Sequence, residues 1–89
     1  MKRTDILFTA SDYISRDRNK THGEAEKNFG LIAAYWSAHL GTEVTAADVA
    51  VMMTLLKLAR IKSNPANDDN WIDGCGYLAC GGEIATEAA

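Results

Sequence analysis

No lysine or arginine follows Lys62, and the last 27 residues carry five acidic groups. Residues 1–28 hold six cations and five anions, and residues 29–62 hold three and two. The net charge of −3 excludes general binding to a nucleic-acid polymer, which needs a basic excess. The lopsided distribution predicts that an acidic C-terminal third pairs with a mildly basic remainder, within one chain or between chains.

Other features are equally scarce. No run approaches the roughly 18 apolar residues of a membrane span, and the N-terminus lacks the apolar core of a signal peptide. These absences predict a cytoplasmic protein with no membrane partner. The two cysteines, Cys75 and Cys80, are five apart, which on a helix puts them on different sides and argues against a local disulfide. His22 and His39 stand at no ligand spacing to them, so no metal site is predicted. Free thiols in a reducing compartment fit this pattern. Neither an E-x-x-E nor an E-x-x-D pair occurs, and no Ser or Cys sits in a G-x-S-x-G context. No catalytic residue and no cofactor is assigned.

What is present is helical periodicity. Apolar residues make up 47% of the 89 residues, ordinary globular usage for one domain spanning 1–89. Residues 4–14 form a short amphipathic pattern through Ile6, Leu7, Ala10, Tyr13 and Ile14, with Thr4 as a cap. Residues 15–23 are polar and read as a loop, or as a helix end turning at Gly23. Residues 24–40 form a second helix with a stripe of Phe29, Ile32, Ala33, Trp36 and Leu40, stopped by Gly41. The third helix, 45–61, begins with a capping box of Thr45 and Asp48. It is apolar on two sides, Val49–Met52–Leu56–Ala59 and Val51–Leu55–Leu58, which predicts enclosure on both. Residues 63–70 contain the sole proline and read as a turn. A last helix runs from about Trp71 to about Ala85, with Ile72, Cys75, Leu78 or Ala79, and Gly82 inward. Its four glycines, Gly74, Gly76, Gly81 and Gly82, cost roughly 1 kcal/mol each against Ala and predict close helix approach. The fold class is therefore all-α, a compact four-helix domain whose surplus apolar surface predicts a homo-oligomer.

Two constellations carry charge. Arg16, Arg18, Lys20 and Lys27 surround the start of the second helix, where free amides suit an anionic group. The alternative is a solvated loop offsetting Asp17, Glu24 and Glu26. Lys57 and Arg60, three apart, share a helix side. They either clamp the last helix through Asp69 and Asp73 or hold phosphate. Tyr13 and Trp71 sit at element ends, where a ring can stack on a base, while Tyr35, Trp36 and Tyr77 read as core.

The positions Asp17, Arg18, Gly23, Asn28, Phe29, Trp36, Lys57, Arg60, Asp69, Trp71, Asp73, Gly76 and Tyr77 resemble a pattern found in small phage and prophage proteins. That pattern runs D-R-x-x-x-Y-G-x-x-x-x-N-F, W-S-A-x-L-G, L-K-x-A-R and D-x-W-x-D-x-x-G-Y. His22 stands where the group more often has Tyr. The group is distantly similar to MazG-type nucleotide pyrophosphohydrolases and to phage nucleotide-modification domains. The resemblance implies a nucleotide-derived, phosphate-bearing ligand; the missing E-x-x-E and E-x-x-D pairs argue that it is held without turnover, and analogy with small helical phage proteins that sequester bacterial immune signals suggests such a signal. Its ligand set would be Tyr13, Arg16, Arg18, Lys20, His22, Lys27, Asn28, Lys57, Arg60 and Trp71. One alternative is a magnesium-dependent hydrolase using Asp48, Asp69 and Asp73 with Glu24 or Glu26. Another is a ligand-free interaction module, whose sign would be a large exposed apolar patch without a polar pocket.

Overall fold

The computed structural model describes residues 1–17 and 25–87, and the side chains among them except those at 16, 17, 25 and 26. Among these residues are four α-helices and no strand: α1 (Arg3–Asp12), α2 (Ala25–Leu40), α3 (Ala46–Ser63) and α4 (Asp68–Glu87). A π-helical turn, Tyr13–Asp17, continues α1 into the segment read from sequence as a loop. The all-α, four-helix expectation holds.

Helices α3 and α4 form an antiparallel hairpin, α2 packs on α3, and α1 packs on α4. Tyr77 of α4 meets both outer helices. Its ring lies 6.2 Å from that of Phe29 in α2, and it shares a small cleft with Tyr13 after α1. Helices α1 and α2 therefore cover the same side of the hairpin.

Local chemistry fixes the helix ends. The Asp48 amide donates to Thr45 Oγ1 at 3.1 Å, and the Thr45 amide donates to Asp48 Oδ2 at 3.0 Å, forming the expected capping box. The Thr45 amide, then the Thr45 hydroxyl, hold the Asp48 carboxyl below its usual range. Gly41 follows α2 at φ +69°, the left-handed position a side chain would strain. Across the loop, the Val44 amide donates to Ser37 Oγ at 2.8 Å, tying α2 to the start of α3.

Other ends differ from the sequence reading. Lys2, not Thr4, precedes α1, and its amide donates to Asp5 Oδ2 at 3.1 Å. Helix α4 begins at Asp68 rather than Trp71. Asn67 Oδ1 accepts from the Asp69 amide at 3.1 Å, and Asp68 and Asp69 favour the helix dipole in the first turn. Trp71 Nε1 then donates back to the Pro65 carbonyl at 2.9 Å and pins the turn.

The hairpin closes on small residues. A Cβ placed on Gly81 would lie 2.7 Å from the Cβ of Ala50, and one on Gly76 would lie 3.2 Å from Ile14. These are the close approaches that the glycines of α4 predicted. Gly82 faces open space, so its expected inward role fails. Cys75 is half-buried and Leu78 is 56% exposed. Ile72 is buried as expected, and the inward face of α4 is otherwise made by Asn70, Gly74, Gly76 and Gly81. On α1, Ala10 is buried but Leu7 is exposed, and on α2 Tyr35 and Leu40 are exposed.

The largest correction concerns α3. Its inner side is Val49, Ala50, Thr54 and Lys57, all buried. Val51, Met52, Leu55, Leu56 and Leu58 are exposed, so the helix is not enclosed on both sides. Close approach to α4 admits Ala50 and Thr54 and excludes the larger aliphatics.

Gly81→Ala is expected to cost about 1–3 kcal/mol through overpacking against Ala50. Gly30→Ala, inside α2 with open space around it, is expected to stabilise by up to about 1 kcal/mol. Urea unfolding of both variants checks this opposite pair of signs.

Candidate functional site

Lys57 lies on the inner side of α3, where its stem runs beside Gly74 of α4. A Cβ on Gly74 would be 4.0 Å from Lys57 Cβ. The lysine stem therefore passes Gly74 at ordinary van der Waals distance. Lys57 Nζ reaches Asp73 Oδ2 at 2.9 Å, with the two side chains 11% and 18% exposed. At that burial each charge depends largely on the other, because little solvent reaches an unpaired partner. The complementary spacing seen in the sequence therefore closes for Lys57 and Asp73. Among the described residues no ion pair joins Arg60 to Asp69, and both are exposed.

Asp73 also borders a cleft with Ala10, Tyr13, Ile72, Gly76 and Tyr77. Its volume is about 20 Å³, room for about one water and not for a base or a phosphate. Tyr13 and Lys57 are thus brought into one neighbourhood through Asp73. Trp71 is not part of that lining; it is 44% exposed, with its indole N–H held by Pro65. Lys27 and Asn28 stand exposed in the first turns of α2. Arg18, Lys20 and His22 lie outside the described residues, as does the side chain of Arg16. Among the described residues no three His, Cys, Asp or Glu side chains group as metal ligands. Asp48 caps α3, Asp69 sits in the first turn of α4, and Asp73 holds Lys57. Cys75 and Cys80 form no disulfide and are half-buried.

The feature that sequence reasoning misplaced is apolar. At roughly 100° per residue, Val51, Met52, Leu55, Leu56, Leu58 and Ala59 occupy one half of the α3 circumference, and all are exposed. Leu55 is 57% exposed and Val49, on the opposite half, 0%. On α4 the exposed Trp71 and Leu78 fall on the side away from Tyr77, by the same helical spacing. Because α1 and α2 both cover the Tyr77 side, the other side of the hairpin is bare. A further shallow depression of about 270 Å³ on α1 is formed by Thr4, Leu7, Phe8 and Ser11. The legible signal was the excess of apolar residues in α3 over what four short helices can bury.

The fold and surface define a small all-α domain built on a helical hairpin with one uncovered apolar side. The chain belongs to the family described as a domain of unknown function, DUF6378, which matches residues 5–85. It is 44% identical over 73 residues to the Gene 55 protein of Mycobacterium phage L5, covering 81% of this chain and 47% of that protein. It is 39% identical over 75 residues to the Gene 55 protein of Mycobacterium phage D29, covering 84% and 50%. The chain therefore spans about half the length of the curated relatives it matches. No solved structure matches. The resemblance to small phage proteins holds at the level of this family. No helix among the described residues is long and apolar enough to cross a membrane.

Asp73→Ala is expected to destabilise the fold by about 3–5 kcal/mol, leaving Lys57 buried without its partner. The double variant Lys57→Met/Asp73→Leu is expected to recover most of that loss. Denaturant unfolding of the single and double variants reads the difference.

Proposed function

We propose that this chain is a protein-assembly module of a phage protein, working through the bare side of the α3–α4 hairpin. One observation carries the reading: five large aliphatic residues of a single helix, Val51, Met52, Leu55, Leu56 and Leu58, stand exposed on a chain this small. Monomeric domains rarely leave such side chains contiguous unless a partner covers them. The cleft beside Asp73 has room for about one water and does not compete as a ligand pocket.

A photoreactive residue introduced at Leu58, in the chain produced in a bacterial host during phage infection, tests this. The expected result is one stoichiometric protein adduct at position 58, identified by mass, and none at the exposed position Glu43. Absence of an adduct at Leu58 would overturn the reading.

Sequestration of a nucleotide-derived anion is the second reading. Its support is Arg60, exposed and without an acidic partner among the described residues, three residues beyond Lys57. Lys27 and Asn28 stand exposed on α2, seven and eight residues after Lys20, the last cation of the basic segment that begins at Arg16. Nucleotides and cyclic nucleotides are expected to raise the melting temperature, and Arg60→Ala to reduce that rise. A flat thermal-shift panel removes this reading and leaves the first intact.

A further inference from the structure

Resting on the assembly reading, the geometry points to the occupant of the bare side: α3 of a second copy of this chain. We propose that the two α3 helices pair antiparallel across a two-fold axis near Leu55. Asp48 lies seven residues before Leu55 and Lys62 seven after it. At roughly 100° per residue, all three lie along one line of the exposed half. Asp48 and Lys62 are both exposed, and neither makes an ion pair among the described residues.

An antiparallel pair centred on Leu55 sets Asp48 against the partner's Lys62 at both ends. It sets Val51 against the partner's Ala59, a large residue against a small one, and Met52 against the partner's Leu58. Leu55 meets its own copy at the axis. The helix dipoles oppose each other in this arrangement, which is the favourable sense. A parallel pair would set Asp48 against Asp48 and Lys62 against Lys62, so like charges exclude it. A line that is acidic at one end, basic at the other and apolar between is self-complementary under a two-fold axis. Nothing about an unrelated partner requires that symmetry. Trp71 and Leu78 of α4, on the same bare side, would flank the seam.

Zero-length carbodiimide coupling of the full chain tests the register. Within one copy, Asp48 and Lys62 are separated by fourteen residues of α3, a rise of about 21 Å, so the reagent can join them only between copies. The expected result is a dimer in sedimentation equilibrium and, from an equal mixture of ¹⁴N and ¹⁵N protein, a mixed-isotope Asp48–Lys62 cross-link. Leu55→Asp and, independently, Lys62→Asp are expected to give monomers with unchanged helical circular dichroism and no such link. Leu55 and Lys62 are exposed, so neither change enters the core. A wild-type chain that stays monomeric at 200 µM overturns the self-pairing. If the photoreactive residue at Leu58 then captures a different phage protein, the assembly reading survives alone; if it captures nothing, both fall. A dimer with cross-links elsewhere and none between Asp48 and Lys62 overturns the antiparallel register.

Discussion

The α3–α4 hairpin closes on an ion pair, and the placement of nearly every other side chain follows from that closure. Lys57 Nζ and Asp73 Oδ2 meet at 2.9 Å between helices that also touch at Ala50 and Gly81. Helices this close admit only small or slender groups between them. Alanine, threonine, glycine and the stem of one lysine supply the inner side of α3 and its counterpart on α4. Once they do, Val51, Leu55 and Leu58 have no route inward, because the same rotation that brings Ala50 to Gly81 turns them to solvent. Among the described residues the buried cluster is Phe29 and Ala33 from α2 with Val49 and Ala50 from α3. Against it pack half-buried Trp36, Met53 and Tyr77, while the large aliphatics of the outer side of α3 stay uncovered.

Features that depend on a few neighbouring residues were legible in the sequence. The capping box of Thr45 and Asp48, the stop at Gly41 and the Phe29–Ala33–Trp36 stripe of α2 are set within one or two helical turns, and each appears as read. The start of α4 was missed by one turn because Asn67 was counted only as a turn residue, although it also serves as a cap. The facing of α3 was not legible, for a physical reason. Periodicity locates a buried side by contrast with a polar one, and α3 has apolar residues on nearly every side, so the pattern carries no phase. The deciding information sat in the partner helix. Gly81 selects the narrow Ala50 of α3, but which of the four glycines acts this way depends on the crossing of the helices.

The site was legible only as charge complementarity. Lys57 and Arg60 on one helix and Asp69 and Asp73 on the next predicted pairing, and one of the two pairs forms. The other does not because Asp69 sits in the first turn of α4, where it serves the helix N-terminus and remains exposed. The basic segment from Arg16 to Lys20 and His22 reads clearly as sequence chemistry. What it faces depends on how the chain passes from the π-helical turn into α2, which composition does not encode.

A buried ion pair is a poor source of stability, since the desolvation of both charges offsets most of their attraction. It is a good source of uniqueness. An α3 with apolar residues on nearly every side could rotate against a more distant α4 and bury a different set, Val51 and Leu58 in place of Ala50 and Thr54, with more apolar area covered. Any such rotation would carry Lys57 away from Asp73 and leave the Asp73 carboxylate on the inner side of α4 without its partner. The pair therefore penalises the alternatives more than it favours the native arrangement. In doing so it keeps the large aliphatic side of α3 outward, with Asp48 and Lys62 at its two ends. The hairpin thus withholds its best hydrophobic surface from its own core and leaves it exposed, and on that exposure the proposed assembly rests.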